Sequence, residues 1–189
     1  GVECYRIEAR HRRILWVNSA APSLGDSMMD LAARTLLGDR DLSLLTDSKN
    51  VQLYLNDEYF TAVYSSPQDA RAASHKNPFD LVISDAYSPR VLIKKVIAAP
   101  RVEIVGIYGF LNGFEVHRTY FAFARMMELL GIDRIDEPMR PTITLQAESK
   151  NKQAEVDVCI AVGGEWSFRT YDHWSAVVNW LVAQGYSVS

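Results

Sequence analysis

Apolar residues along this chain fall into short continuous runs, and stretches with helical spacing separate them. "RILWV" (13–17), "LSLLT" (42–46), "FTAVYS" (60–65), "FDLVISDA" (79–86) and "VEIVGIY" (102–108) read as strands. Between them, 25–38 shows a helical face of Met28, Leu31, Ala32 and Leu36, and 48–55 reads as a short helix opened by Ser48. Two further helices begin with Ser-Pro, at Ser66-Pro67 and Ser88-Pro89, a serine cap followed by proline at the first helical position. A longer helix is predicted over 114–130, ending before Gly131. Strands spaced by helices require parallel pairing through right-handed crossovers. The expected fold is therefore a doubly wound α/β sheet of Rossmann type, with functional groups at the carboxyl ends of the strands.

The rhythm breaks at "IDRIDEPMRPTITLQAESKNKQAE" (132–155), which is charged, carries two prolines and reads as a linker. It then restarts with a strand over 156–164, a turn, a helix over 171–184 and the opening of another strand, "GYSVS". The expected organisation is an N-terminal Rossmann-like domain over 1–135, a linker over 136–155, and the start of a second Rossmann-like domain over 156–189, cut short.

Composition narrows the function classes. Of the 189 residues 48% are hydrophobic and 23% charged, as in a globular protein, and the net charge of −3 argues against a polyanion binder. Cys4 and Cys159 are far apart and fit no metal-ligand spacing, which suits a reducing compartment. The histidines form no ligand pattern either, so no metal site is expected. No apolar run reaches the length of a membrane span, and "GVECYRIEARHRRILWVN" lacks a signal-peptide core. A cytoplasmic protein with at most peripheral membrane contact is the expectation.

Candidate chemistry gathers at the turns that follow strands. In "NSAAPSLGDSMM", Gly25 would permit a tight turn and close ligand approach, and Asp26 stands where a helix begins. Asp26 as a helix cap and Asp26 as a general base remain equally open on spacing alone. There is no G-x-G-x-x-G here, which disfavours ordinary dinucleotide binding. In "AVGGEWSFRTYDHW", Gly163, Gly164 and Arg169 could hold a diphosphate with backbone N–H groups and a guanidinium, or form a plain turn with a surface arginine. Arg90, Lys94, Lys95 and Arg101 leave two readings, an anionic small-molecule or lipid-headgroup partner and, favoured over it, a solvated helix face, with Arg90 set apart by its nearness to the end of a strand. Glu115, His117 and Arg118 sit at a helix start, and "RHRR" (10–13) reads as solvated surface.

Taken in order, "RRILWVNSAAPSLGDSMMDLAARTL", "FDLVISDAYSPRVLIKKVIAAPRVEIVGIYG", "FEVHRTYFAFARMMELLGI" and "EWSFRTYDHWSAVVNWLVAQGY" resemble the ADP-heptose:lipopolysaccharide heptosyltransferase family, glycosyltransferase family 9. The resemblance implies two Rossmann-like domains facing a cleft, the B-type glycosyltransferase architecture. It implies metal-independent, inverting transfer of a heptose-like sugar from a nucleotide-diphosphate sugar to a hydroxyl of a saccharide or glycolipid. No cofactor beyond that donor substrate is implied. By the same resemblance Asp26 is the base and Arg169 contacts the donor phosphates; beside them, Gly25, Arg90, His117 and Arg118 are the candidates for substrate binding, and Gly163 and Gly164 for the donor phosphates. The chain departs from the family pattern where "MMDLAA" replaces a Thr-Pro and "AVGG" replaces a His-Pro-Gly. The rival readings are a non-catalytic sugar- or nucleotide-binding module and a nucleotide-sugar epimerase of the same architecture.

Overall fold

The computed structural model describes residues 2–21, 23–107, 116–136, 138–144, 156–161 and 171–189. The chain divides into two compact units, Gly1–Gln146 and Ala147–Ser189.

In the first unit the apolar runs form five strands: β1 (Arg13–Asn18), β2 (Asp41–Thr46), β3 (Ala62–Tyr64), β4 (Leu81–Ser84) and β5 (Glu103–Gly106). All pair in parallel, in the order β3-β2-β1-β4-β5. This is the expected doubly wound sheet. Side chains alternate across it. Ile14 and Trp16 point to one layer with Leu31, Leu37, Tyr54, Phe123 and Met126, whereas Leu15 and Val17 point to the other with Ala70, Val91 and Ala98. Both faces are covered, which is why the strands read as unbroken apolar runs.

The helices are α1 (Leu24–Asp30), continued as a 3-10 segment (Leu31–Leu37), then α2 (Ser48–Tyr54), α3 (Pro67–Lys76), α4 (Pro89–Ala98) and α5 (Arg118–Leu130). Ser66 and Ser88 cap α3 and α4 through their hydroxyls, and proline follows each. Helix α2 is entered from Asp47 rather than opened by Ser48. The helical face read over 25–38 is thus two segments, an α-helix and a tighter 3-10 run ended by Gly38 at φ 63°. Gly131, at φ 68°, terminates α5 as the left-handed residue, and the N–H of Ile132 returns to the carbonyl of Met127.

Two surface readings need correction. "RHRR" is not uniformly solvated. His11 is buried and bonds Glu103 at 3.0 Å, and Arg13 pairs with Asp41 and lies 4.6 Å over the Phe79 ring. The segment feeds the central strand, so the first residues of its neighbours surround it. Asp80, just before β4, accepts from the backbone N–H groups of Arg12 (3.0 Å) and Arg13 (2.8 Å). The α4 cations are likewise not all solvated. Lys95 is buried with Nζ on the carbonyl of Val102 at 2.8 Å, and burial pulls its pKa down. Lys94 pairs with Asp47 at 2.7 Å.

The second unit's described residues include α6 (Trp174–Ala183) and a parallel bridge between Val158 and Val188. Val158 and Ile160 donate to the carbonyls of Ser187 and Ser189. The strand expected over 156–164 is present as this short bridge, its last residues lying outside the described ones.

Candidate functional site

Where the strand order reverses, the carboxyl ends of β1 and β4 stand side by side, and loops leaving them diverge to opposite faces. Such a point is where an open α/β sheet leaves a crevice for ligands. The residues there are polar and tightly joined. Asp85, just past β4, accepts on Oδ2 from the backbone N–H groups of Ser19 and Ala20, both at 2.9 Å, and from Asn18 Nδ2 at 3.2 Å. Its other oxygen, Oδ1, is shut away from solvent and has no hydrogen-bond partner among the described residues. Burial, and next to it the charge of Asp30, push the Asp85 carboxyl up to about 6 against the pull of the Ala20 and Ser19 amides.

Helix α1 contributes the next layer. Ser23 is its N-cap, its hydroxyl accepting from the N–H of Asp26. Asp26 is therefore not the cap. It stands in the first turn, and Oδ2 accepts the Ser23 hydroxyl at 2.6 Å. Gly25 has ordinary negative φ, and a Cβ there would meet only Ser23 Oγ at 3.9 Å. The turn does not need glycine's freedom, so the tight-turn reading of Gly25 is corrected. What remains is a stretch of helix backbone bare toward the outside.

Arg118, the first residue of α5, joins the two α1 carboxylates. Its Nε and Nη2 hold Asp30 Oδ1 and Oδ2 at 2.6 and 2.7 Å, a two-pronged grip, and Nη1 reaches Asp26 Oδ1 at 2.9 Å. The three side chains are 19%, 15% and 23% exposed for Arg118, Asp30 and Asp26, so the assembly sits at the surface with Asp26 its most open member. Burial raises the Asp30 carboxyl despite the Arg118 contact. Burial works to lower Arg118, but the bonds and charge of Asp30, then of Asp26 and Asp85, hold it above its ordinary value. Beneath lies a buried relay: Ser27 Oγ donates to Asn18 Oδ1 at 2.6 Å and lies 3.1 Å from the Tyr54 hydroxyl, which burial pushes up to about 12.

Among the sequence candidates, Gly25, Asp26 and Arg118 come together. His117 is exposed and caps α5 through Nδ1, bonded by the N–H of Thr119. Arg90 does not join this group; it pairs with Asp47 beyond β2. Gly163, Gly164, Arg169 and Glu115 lie outside the described residues. Asn18, Ser27, Asp30, Tyr54 and Asp85 were not singled out from sequence. Asp26 and Asp30, four apart on one helix face, form a like-charge pair that needs a cation, and that spacing was a usable signal.

Chemically, the assembly presents one ionisable carboxylate at an open rim, oriented by a guanidinium that a second carboxylate fixes. Asp26 can accept a hydrogen bond or a proton from an incoming hydroxyl. Among the described residues no group of three His, Cys, Asp or Glu side chains is placed to hold a metal ion.

No family model matches the sequence, and no curated protein matches it. Solved structures do share the fold. A glycosyl transferase family 9 protein from Veillonella parvula DSM 2008 superposes with a TM-score of 0.73 at 12% identity, over 97% of this chain and 63% of its own. E. coli heptosyltransferase WaaC, solved with ADP, gives 0.66 at 13% identity, over 93% of this chain and 66% of its own. E. coli ADP-heptose lps heptosyltransferase II gives 0.62 at 15% identity, over 93% of this chain and 63% of its own. At such identities the likeness establishes a glycosyltransferase-like fold. The chain spans just under two thirds of these three structures' lengths.

Proposed function

We propose, from the fold shared with family 9 glycosyltransferases, that this chain belongs to an inverting glycosyltransferase and that its first unit holds the acceptor. The observation that carries the reading is Asp26: an open carboxylate at the rim where β1 and β4 part, gripped by one N–H of Arg118 and one hydroxyl. In the reaction an acceptor hydroxyl attacks the anomeric carbon of a nucleotide-diphosphate sugar. The new C–O bond forms as the bond to the diphosphate breaks, the anomeric centre inverts, and the hydroxyl proton passes to Asp26. A base that takes the proton late need not be strong, so an ion-paired carboxylate suffices.

Arg118 acts on Asp26 rather than on substrate. Asp30 holds Nε and Nη2, which aims Nη1 at Asp26 Oδ1, and Asp26 keeps oxygen lone pairs for the acceptor. His117, exposed beside Arg118, and the bare backbone at Gly25 are positioned to meet the acceptor's outer groups. Arg90 is committed to Asp47 and is the weakest of the acceptor candidates. Gly163, Gly164 and Arg169 remain the proposed holders of the donor diphosphate, where charge grows as the leaving group departs. The neighbouring WaaC structures contain ADP and ADP-2-deoxy-2-fluoro heptose, which supports an ADP-sugar as the first donor to try.

The test is a transfer assay on the natural polypeptide that contains this chain, with ADP-heptose and a saccharide or glycolipid acceptor. Asp26→Asn should lower kcat by roughly a hundredfold or more while ADP binding is kept. Unchanged turnover in that variant removes the base assignment. Donor binding with no transfer to any acceptor favours the binding-module reading.

A further inference from the structure

Helix α4 has three faces. Val91, Lys95 and Ala98 enter the core. Arg90 and Lys94, four apart, form one flank and meet Asp47. The outer face is apolar: Pro89, Leu92, Ile93, Val96 and Ile97 line a shallow depression of about 300 Å³. Ile93 is 59% and Val96 56% exposed. A surface helix ordinarily turns polar residues outward, as the neighbouring α3 does with Gln68, Asp69 and Lys76. In α4 the burial stripe is filled and a second apolar stripe is left facing out.

Cations border that stripe. Arg71 of α3 reaches the far end of α4, with Nη1 3.4 Å from the carbonyl of Ile97. Arg90 keeps 66% of its side chain exposed although it touches Asp47. Arg101 is exposed just past the helix. Thus a chain of net charge −3 collects positive groups around an exposed apolar strip. That pairing of apolar side chains with a basic border fits the interface of an anionic bilayer. A second copy of the chain fits less well, because two-fold pairing of this face would bring two basic borders together. Spanning is excluded for this helix, since no helix of the described residues is long and apolar enough to cross a membrane.

We propose that the outer face of α4 docks on an anionic lipid surface, with Ile93, Val96 and Ile97 in the interfacial layer and Arg71, Arg90 and Arg101 on the headgroups. The strip starts at Pro89, four residues past Asp85, so it runs away from the rim that carries Asp26. On the glycosyltransferase reading, this would set the acceptor crevice beside a membrane-borne acceptor. The docking itself does not depend on that reading and is tested with no sugar present.

The experiment is flotation of the full 189-residue chain with phosphatidylcholine vesicles, with and without phosphatidylglycerol. Binding should require phosphatidylglycerol, being at least about tenfold weaker without it, and should weaken as salt rises. Ile93→Glu combined with Val96→Glu should lower binding by at least about tenfold. Both sites are exposed, so the thermal midpoint should stay unchanged, which separates lost docking from lost folding. Arg71→Gln with Arg101→Gln should weaken binding at low salt and flatten its dependence on salt. Absence of binding to either vesicle, equal binding to both, or full binding by the double glutamate variant would each overturn the proposal. So would a concentration-dependent dimer that the glutamates dissolve and anionic vesicles do not compete away.

Discussion

Two guanidinium–carboxylate assemblies stand on one helical stretch and do opposite work. Arg34, in the 3-10 segment, grips Asp57 through Nε at 3.1 Å and Nη2 at 2.5 Å. It also donates to the carbonyls of Leu31 and Thr142, and the Tyr59 and Phe60 rings lie 5.3 and 5.9 Å from its centre. Arg34 is 1% and Asp57 0% exposed. One or two turns earlier, Asp26 and Asp30 share Arg118, yet this trio lies at the rim of the sheet, its side chains 15–23% exposed. The ion chemistry is the same. What differs is the wall around it. Enclosed, the pair is a structural tie whose every charge must be matched; at the rim, the same grip presents a carboxylate to whatever arrives.

The contrast can be broken most forcefully at the enclosed pair. Arg34→Ala leaves Asp57 charged and unmatched in the interior and should cost about 3–5 kcal/mol in urea unfolding. Replacing both partners by apolar residues, Arg34→Met with Asp57→Leu, should recover most of that loss. If Arg34→Ala unfolds no more easily than the parent, burial is not what sets the two assemblies apart. In transfer assays the rim should show the reverse pattern, with Asp26→Asn lowering kcat far more than it lowers stability.

Next in size is a pH effect at the rim. The Asp85 carboxyl is pushed up from 3.8 to about 6, chiefly by burial. A raised value means the folded state binds this proton more tightly than the unfolded chain does. The stabilisation is complete below pH 4 and is lost as pH rises through about 6. Asp85→Asn keeps an acceptor for the Ser19 and Ala20 amides but cannot ionise. It should unfold about 2–3 kcal/mol later than the parent at pH 7, with the gap closing toward pH 4. Parallel pH profiles for the two proteins would show that Asp85 does not titrate in this range.

The smallest effect is at Gly25, whose negative φ and open surroundings admit a methyl group. Gly25→Ala should stabilise the protein by about 0.4–1 kcal/mol. If acceptor approaches this bare turn, KM for acceptor should rise in the same variant while kcat holds. A rise in stability with no change in KM would place the acceptor elsewhere.

The sheet was legible because its strands are covered on both faces and so read as unbroken apolar runs, with Ser66-Pro67 and Ser88-Pro89 marking two helix starts. The change from α to 3-10 at Leu31 left no mark in the apolar spacing. At the site, Asp26 stood out from its turn, but its partners did not. Asn18 and Asp85 are 67 residues apart in sequence, and Asp30 and Arg118 are 88 apart. Only the pairing of β1 with β4 and the packing of α5 against α1 bring them together. The misreading of "RHRR" has the same cause: a segment entering a central strand inherits neighbours from both flanking strands, and no local pattern announces them.

Asp80 and Asp85 stand at either end of β4, and each binds two consecutive backbone amides next to β1. The four residues between them thus act as a ruler. Slipping β4 by one position would unhook both acids together, and lengthening 81–84 by one residue would force one end to let go. The floor of the crevice is therefore set by the spacing of two aspartates, leaving the loop above free to vary in sequence without moving it.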